Sequence, residues 1–232
     1  MRAILLAGGY GTRLRPITNS IPKCLVPING RPLLDYWLEN LSKSGFKSFL
    51  INTHHLPEQV KEYSLKSVYR DSIELMHEDK LLGTAGTLRE NISFFGKKDG
   101  LLAHADNYCL ADFNEFIEAH KQRPRECLIT MMTFETKNPE SCGILELNEN
   151  GIVTAFYEKV ENPPGNIANG AIYILSKDFL RLLENGFESA RDFSKDIIPH
   201  FLGKIFTYHT SAELIDIGDV NTYHSVSNNS LM

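Results

Sequence analysis

Three glycines, Gly8, Gly9 and Gly11, lie close in sequence to two cations, Arg13 and Lys23, near the start of the chain. They follow a wholly apolar run, Ala3 to Ala7, which reads as a strand buried on both faces, as in a parallel sheet. Glycine lets the backbone bend tightly and present bare N–H groups to a large anion, and the two cations add fixed positive charge. Prolines at 16, 22, 27 and 32 make this a shaped loop. The chemistry implied is the gathering of negative charge, and two common forms of it are excluded. A P-loop requires a Gly-Lys-Ser/Thr that does not follow these glycines. A dinucleotide fingerprint requires a further glycine opening a helix, whereas Gly11 is followed by Leu14 and Pro16.

From Leu6 to Pro27 the chain reads Leu-Ala-Gly-Gly-Tyr-Gly-Thr-Arg-Leu-Arg-Pro-Ile-Thr and then Pro22-Lys23-Cys24-Leu25-Val26-Pro27. This resembles the signature of the sugar-1-phosphate nucleotidyltransferases, closest in type to the mannose-1-phosphate and heptose-1-phosphate guanylyltransferases, and every fixed position of the signature is present. The resemblance implies an α/β fold, a Rossmann-like mixed, mostly parallel central sheet flanked by helices. It also implies transfer of a nucleoside monophosphate from a triphosphate, GTP favoured, to a hexose or heptose 1-phosphate with Mg²⁺ as cofactor. A uridylyl- or thymidylyltransferase of the same fold, and a non-catalytic nucleotide-sugar-binding regulatory subunit, remain as alternatives.

The site residues follow from the same resemblance. Leu6, Ala7, Gly8, Gly9, Gly11 and Thr12 belong to the nucleotide site, with Arg13 on the β- and γ-phosphates and Lys23 near the α-phosphate. Asp106, in Ala105-Asp106-Asn107 where the family has Gly-Asp, and Asp216, in Asp216-Ile217-Gly218, are the magnesium carboxylates. Arg13, Lys23 and Asp106 are the catalytic set. Gly83, Thr84, Ala85 and Gly86 lie in a segment that closes over the base in the family and would also suit a helix start capped by Thr84. Glu78 accepts hydrogen bonds only, which suits guanine's adjacent N1–H and amine best and the single ring N–H of uracil or thymine next. Gly143, Glu158, Lys159 and Asn169 fall at the family's sugar-phosphate positions, although Cys142 and Val160 replace its usual aromatic and proline.

Composition agrees with a globular catalyst. The 232 residues, 42% of them hydrophobic, can bury a sizeable core, and 1–232 is expected to form a single catalytic domain, without the C-terminal β-helix of some relatives. A net charge of −5 argues against nucleic acid or an anionic membrane as partner, and small-molecule substrates are expected, with a homodimer left open. No signal peptide or membrane-length apolar run is evident, so a cytoplasmic location is expected. The four cysteines lack CxxC spacing and read as reduced core thiols.

Periodicity supplies the elements that must hold these residues. Leu33, Leu34, Trp37, Leu38 and Leu41 recur at helical spacing, with Gly45 as a C-cap. Strands are expected over 49–51, 73–77, 101–104, 127–133 and 205–208, and a helix over 57–65. His54 and His55 read as loop lining. Asp112 and Glu115 have capping-box spacing ahead of a helix, and two strands flank an Asn150-Gly151 turn. Helices are expected over 176–183, 192–201 and 220–226, and the last few residues are expected to fray.

Overall fold

The computed structural model describes residues 1–228. In chain order the strands are β1 (Arg2–Leu6), β2 (Pro27–Ile28), β3 (Arg31–Pro32), β4 (Ser48–Thr53), β5 (Ile73–His77), β6 (Gly100–His104), β7 (Asn107–Cys109), β8 (Ile129–Glu135), β9 (Gly143–Leu147), β10 (Val153–Glu158), β11 (Ile167–Leu175), β12 (Ile205–His209) and β13 (Leu214–Asp216). The helices are α1 (Leu33–Lys43), α2 (Pro57–Lys66), α3 (Thr84–Glu90), α4 (Phe113–Gln122), α5 (Lys177–Glu184) and α6 (Val220–Asn228). The mixed α/β expectation holds. Contacts cluster into two compact units, one of Arg2–Leu81, His104–Leu110 and the chain from Glu213 onward, the other of Met1, Leu82–Ala103 and Ala111–Ala212.

In the first unit, β1, β4 and β5 run parallel in register, Leu6 beside Asn52 and Thr53 beside His77. The apolar residues of β1 and β4 are buried on both faces, which is why β1 reads as an unbroken hydrophobic run, while those of β5 are half-buried. Helix α1 buries Leu33, Leu34, Trp37, Leu38 and Leu41 and ends at Gly45, whose φ of 84° is the left-handed geometry a C-cap needs. The proline-rich segment between the glycines and α1 folds as three short 3₁₀ turns, Thr12–Leu14, Ile17–Asn19 and Lys23–Leu25. Leu14, Val26, Ile28, Leu33, Tyr108, Ile217 and Val226 form a buried cluster that anchors the segment from within.

The second unit is mostly antiparallel. Strand β11 pairs antiparallel with β6, β8 and β9, β9 pairs antiparallel with β10, and β12 lies parallel to β8. Asp112 caps α4 through the Asn114 amide, but Glu115 accepts the Tyr208 hydroxyl at 2.7 Å, so the reciprocal arm of a capping box is not made. The helix expected over 192–201 is also corrected: Phe193–Ile197 is one wide π turn and Ile198–Phe201 a 3₁₀ turn. Pro199 lacks the amide that would continue an α-helix there. Asn148 Oδ1 accepts from the amides of Asn150 and Ile152 and closes the expected turn at Gly151. The fraying expected at the end of the chain falls on residues 229–232, outside those described.

The short turns close on their own backbone hydrogen bonds, but what seats the segment as a whole is expected to be the buried cluster beneath it. Replacing the fully buried Leu14 with alanine should cost about 2–5 kcal/mol, read from urea denaturation. A loss below about 0.5 kcal/mol would show that the cluster does not support the segment.

Candidate active site

The first unit buries a lysine, Lys23. Its side chain is 8% exposed, and its Nζ lies 2.9 Å from Asp106 Oδ2 and 3.2 Å from Asp216 Oδ1. The two acids are far apart in sequence and are brought together by a short ribbon in which β13 pairs antiparallel with β7, Asp216 opposite Asn107. Asp106 sits in the turn just before β7, and the Trp37 indole N–H donates to the Asn107 carbonyl at 2.8 Å, fixing that turn to α1. Arg13 completes the cluster from the exposed side, its Nη2 3.5 Å from Asp216 Oδ2. Gly218 makes this approach possible, since a Cβ there would sit 3.0 Å from Arg13 and 3.1 Å from Asp216.

Mutual charge decides the ionisation of this pair. Burial would depress the Lys23 ammonium, but Asp106 and then Asp216 outweigh it and hold its pKa above the ordinary 10.5. Burial would likewise raise Asp106, yet the charge of Lys23, helped by His104, holds it below 3.8. Burial, with Asp106 nearby, pushes the adjacent Cys24 thiol up to about 12, so it is an inert core group. All four cysteines are free thiols.

The glycine loop is tied down on both sides. The Ala7 and Gly8 amides donate to Asn52 Oδ1 at 2.7 and 3.3 Å. The Thr18 hydroxyl donates to the Gly11 carbonyl at 2.7 Å, and His55 Nε2–H donates to the Thr18 carbonyl at 2.8 Å. His54 Nδ1–H donates to the Glu78 carbonyl, leaving Nε2 to accept the Tyr10 hydroxyl, each at 2.7 Å. Both histidines therefore line the loop, as expected. The amides of Gly9, Tyr10 and Gly11 have no acceptor within the described residues and form a run of three unengaged donors, with Gly11 in the left-handed region at φ 59°. Gly8 is not part of that run, because Asn52 takes its N–H. Leu6 carries the other edge of this turn, its carbonyl accepting the Ala105 amide, and Thr12 opens the first 3₁₀ turn.

Glu78 is 3% exposed, and its Oε1 accepts from Asn52 Nδ2 at 2.9 Å. Asn52 was the residue the sequence did not single out. Its only signal was a polar side chain directly after the apolar run Phe49-Leu50-Ile51.

The second unit holds the remaining expected residues. Gly83 has φ 82° and packs on the Arg191 carbonyl, to which the Ala85 amide donates at 2.9 Å. Thr84 is the first residue of α3 and not its cap, and its hydroxyl accepts from the Phe193 amide at 2.7 Å. Ala85 and Gly86 are buried, so only Gly83 and Thr84 of this segment retain open surface. Gly143 stands opposite Glu158 across β9 and β10, where a Cβ would come within 2.8 Å of Glu158 Oε2. Burial raises the Glu158 pKa, with Asp192 adding to it against Lys159 and Lys195. Lys159 is exposed with φ 52°, just beyond β10. Asn169, expected to touch a sugar, donates to the Tyr173 hydroxyl at 2.7 Å and accepts from the Ala171 amide at 2.9 Å, so its amide stabilises an irregularity in β11.

A family model described as nucleotidyl transferase matches residues 2–231. The chain belongs to that family. It is 33% identical over 77% of its length to the D-glycero-alpha-D-manno-heptose 1-phosphate guanylyltransferase of Campylobacter jejuni, covering 77% of that protein. It is 31% identical over 82% of its length to a putative mannose-1-phosphate guanyltransferase of Sulfolobus acidocaldarius, of which it spans about half, 52%. Among solved structures, HddC from Yersinia pseudotuberculosis, complexed with GMP-PN, superposes with a TM-score of 0.82 at 26% identity, covering 98% of each chain. These likenesses bear out the resemblance of this nucleotidyl transferase chain to the sugar-1-phosphate nucleotidyltransferases.

The pair's ionisation sets a pH window. The contribution of Asp106, whose pKa is lowered on folding, is complete above the ordinary carboxylate value and is lost as pH falls through the folded one. That of Lys23, whose pKa is raised, is complete below 10.5 and is lost as pH rises through the folded value. Urea midpoints measured from pH 7 down to about pH 3 should fall less steeply for Asp106→Asn than for the unaltered protein. Equal slopes would show that Asp106 is not held as a paired carboxylate.

Proposed function

We propose that this chain transfers a nucleoside monophosphate, GMP from GTP in first place, to a hexose or heptose 1-phosphate, releasing pyrophosphate. The observation that carries the reading is the convergence of Asp106 and Asp216 on Lys23 in the unit that also bears the unengaged amides of Gly9 to Gly11. In such a reaction a sugar-phosphate oxygen attacks the α-phosphorus, and the bond to the bridging β-phosphate oxygen breaks. The nucleophile is already largely ionised near neutrality, since a phosphate monoester's second pKa is about 6, so no general base is needed. The work left is to hold two polyanions in line and to offset charge on the α-phosphate and the leaving group.

The loop amides and Arg13 are suited to the β- and γ-phosphates, and Lys23 to the α-phosphate. The exposed Lys159 is suited to the sugar phosphate and Glu158 to sugar hydroxyls. Two carboxylates meeting at one point are a donor set that fits Mg²⁺, a hard ion that keeps several waters and takes its other ligands from phosphates. Bound there, Mg²⁺ would neutralise charge on the triphosphate as Asp106 and Asp216 hold it. The preference for GTP rests on the relatives' names and on the GMP-PN complex of HddC. On this reading the chain supplies activated sugars to polysaccharide assembly from the cytoplasm. No helix among the described residues is long and apolar enough to cross a membrane.

Crossing GTP, UTP, dTTP, ATP and CTP with hexose and heptose 1-phosphates, with pyrophosphate release as readout, tests the proposal; GTP is expected to give the highest kcat/KM. Absence of pyrophosphate with every pair would overturn it and favour a binding subunit. Lys23→Ala should lower kcat/KM by about 100-fold or more, whereas Arg13→Ala should chiefly weaken triphosphate binding by calorimetry. Chelation by EDTA should abolish turnover and added Mg²⁺ restore it; turnover unaffected by EDTA would remove the metal from the scheme.

A further inference from the structure

Asn52 occupies a place that neither a loop nor a catalytic motif announces. It lies one residue before the end of β4, beside Leu6 at the end of β1, and is 4% exposed. Its amide orientation is fixed by its neighbours' chemistry. The Ala7 and Gly8 N–H groups can only donate, so the oxygen must face them, and the Glu78 carboxylate accepts, so the nitrogen must face Glu78. The same side chain explains the first glycine of the motif, because a Cβ at position 8 would lie 2.9 Å from Asn52 Nδ2. With Ala7 and Gly8 held, the chain leaves β1 in one direction, and the next three amides, Gly9 to Gly11, are those left unengaged.

We infer that Asn52 is a positioning residue for the phosphate-binding loop, and that one carboxylate oxygen of Glu78 orients Asn52. Asn52 takes up the first two amides after β1 and sets the direction of the following three before any triphosphate arrives. Glu78 keeps the Asn52 amide from turning over, which would aim its NH₂ at two N–H groups. Tyr10 and His54 add a second tether to the same loop, through the Glu78 carbonyl. The inference rests on the reading of Gly9 to Gly11 as a triphosphate cradle, but the tether itself is measurable in the protein without substrate.

The test inverts the hydrogen bond. Asn52→Asp keeps an acceptor for Ala7 and Gly8 but sets a carboxylate against Glu78; adding Glu78→Gln restores a donor facing an acceptor. Amide hydrogen exchange of the unliganded full chain should show Ala7 and Gly8 protected in the unaltered protein. In N52D they should exchange about tenfold faster or more, and in the N52D/E78Q double variant protection should return. With GTP and a sugar 1-phosphate, N52D should raise the KM for GTP about tenfold with kcat within about threefold.

Unchanged protection in N52D, or a double variant no better than N52D, would overturn the inference. Should N52D fail to fold, the double variant, in which every donor has an acceptor, carries the test by its own exchange pattern. If the unaltered protein transfers no nucleotide while the exchange results follow this pattern, the proposed reaction fails and the tether stands.

Discussion

A single buried ammonium holds the first unit's chemistry in place. Lys23 sits between two carboxylates that are 83 and 193 residues away along the chain, and each partner is more open to water than the lysine, at 30% and 56% against 8%. Truncating the lysine would leave two like charges facing one spot, which is why a paired site of this kind is costly to break from one side only. The arrangement also keeps Asp106 ionised and both acids pointed at a common place.

The ion cluster and the glycine loop depend on different devices. The cluster is set by the β7–β13 ribbon, whose register puts Asp216 opposite Asn107 and beside Asp106, and by Trp37 fastening Asn107 to α1. The loop is set by parallel pairing, since Leu6 and Asn52 are in register across β1 and β4. Open parallel sheets offer their strand ends to ligands, and here those ends carry the side chains that aim the loop. The second unit uses a third device: β9 and β10 pair so that Gly143 makes room for Glu158, and β11 bends at Asn169 with Ala171 at φ 54°.

Two of the expected site residues also serve the fold. The amide of Asn169 and one carboxylate oxygen of Glu78 satisfy groups within the chain, the first at the β11 irregularity and the second at Asn52. Burial forces this economy. A polar side chain removed from water must find partners, and the nearest are those of the fold. Exposed cations carry no such obligation, so Arg13 and Lys159 keep most of their donors turned outward.

The sequence alone determined what was local. An apolar run ending at glycines specified β1 and its turn, 3.6-residue spacing specified α1 with Gly45 as its cap, and the Leu6 to Pro27 motif specified anion chemistry and the family. Each of these is decided by neighbours within a few residues, through backbone freedom or periodic burial. Tertiary structure alone decided that Asp106 and Asp216 close on Lys23, that Asn52 takes the Ala7 and Gly8 amides, and that 192–201 winds as a π turn and a 3₁₀ turn. The physical reason is that hydrogen bonds and ion pairs across 44 to 193 residues leave no periodic trace in the chain. They depend on strand register, and register appears only when the sheet has formed.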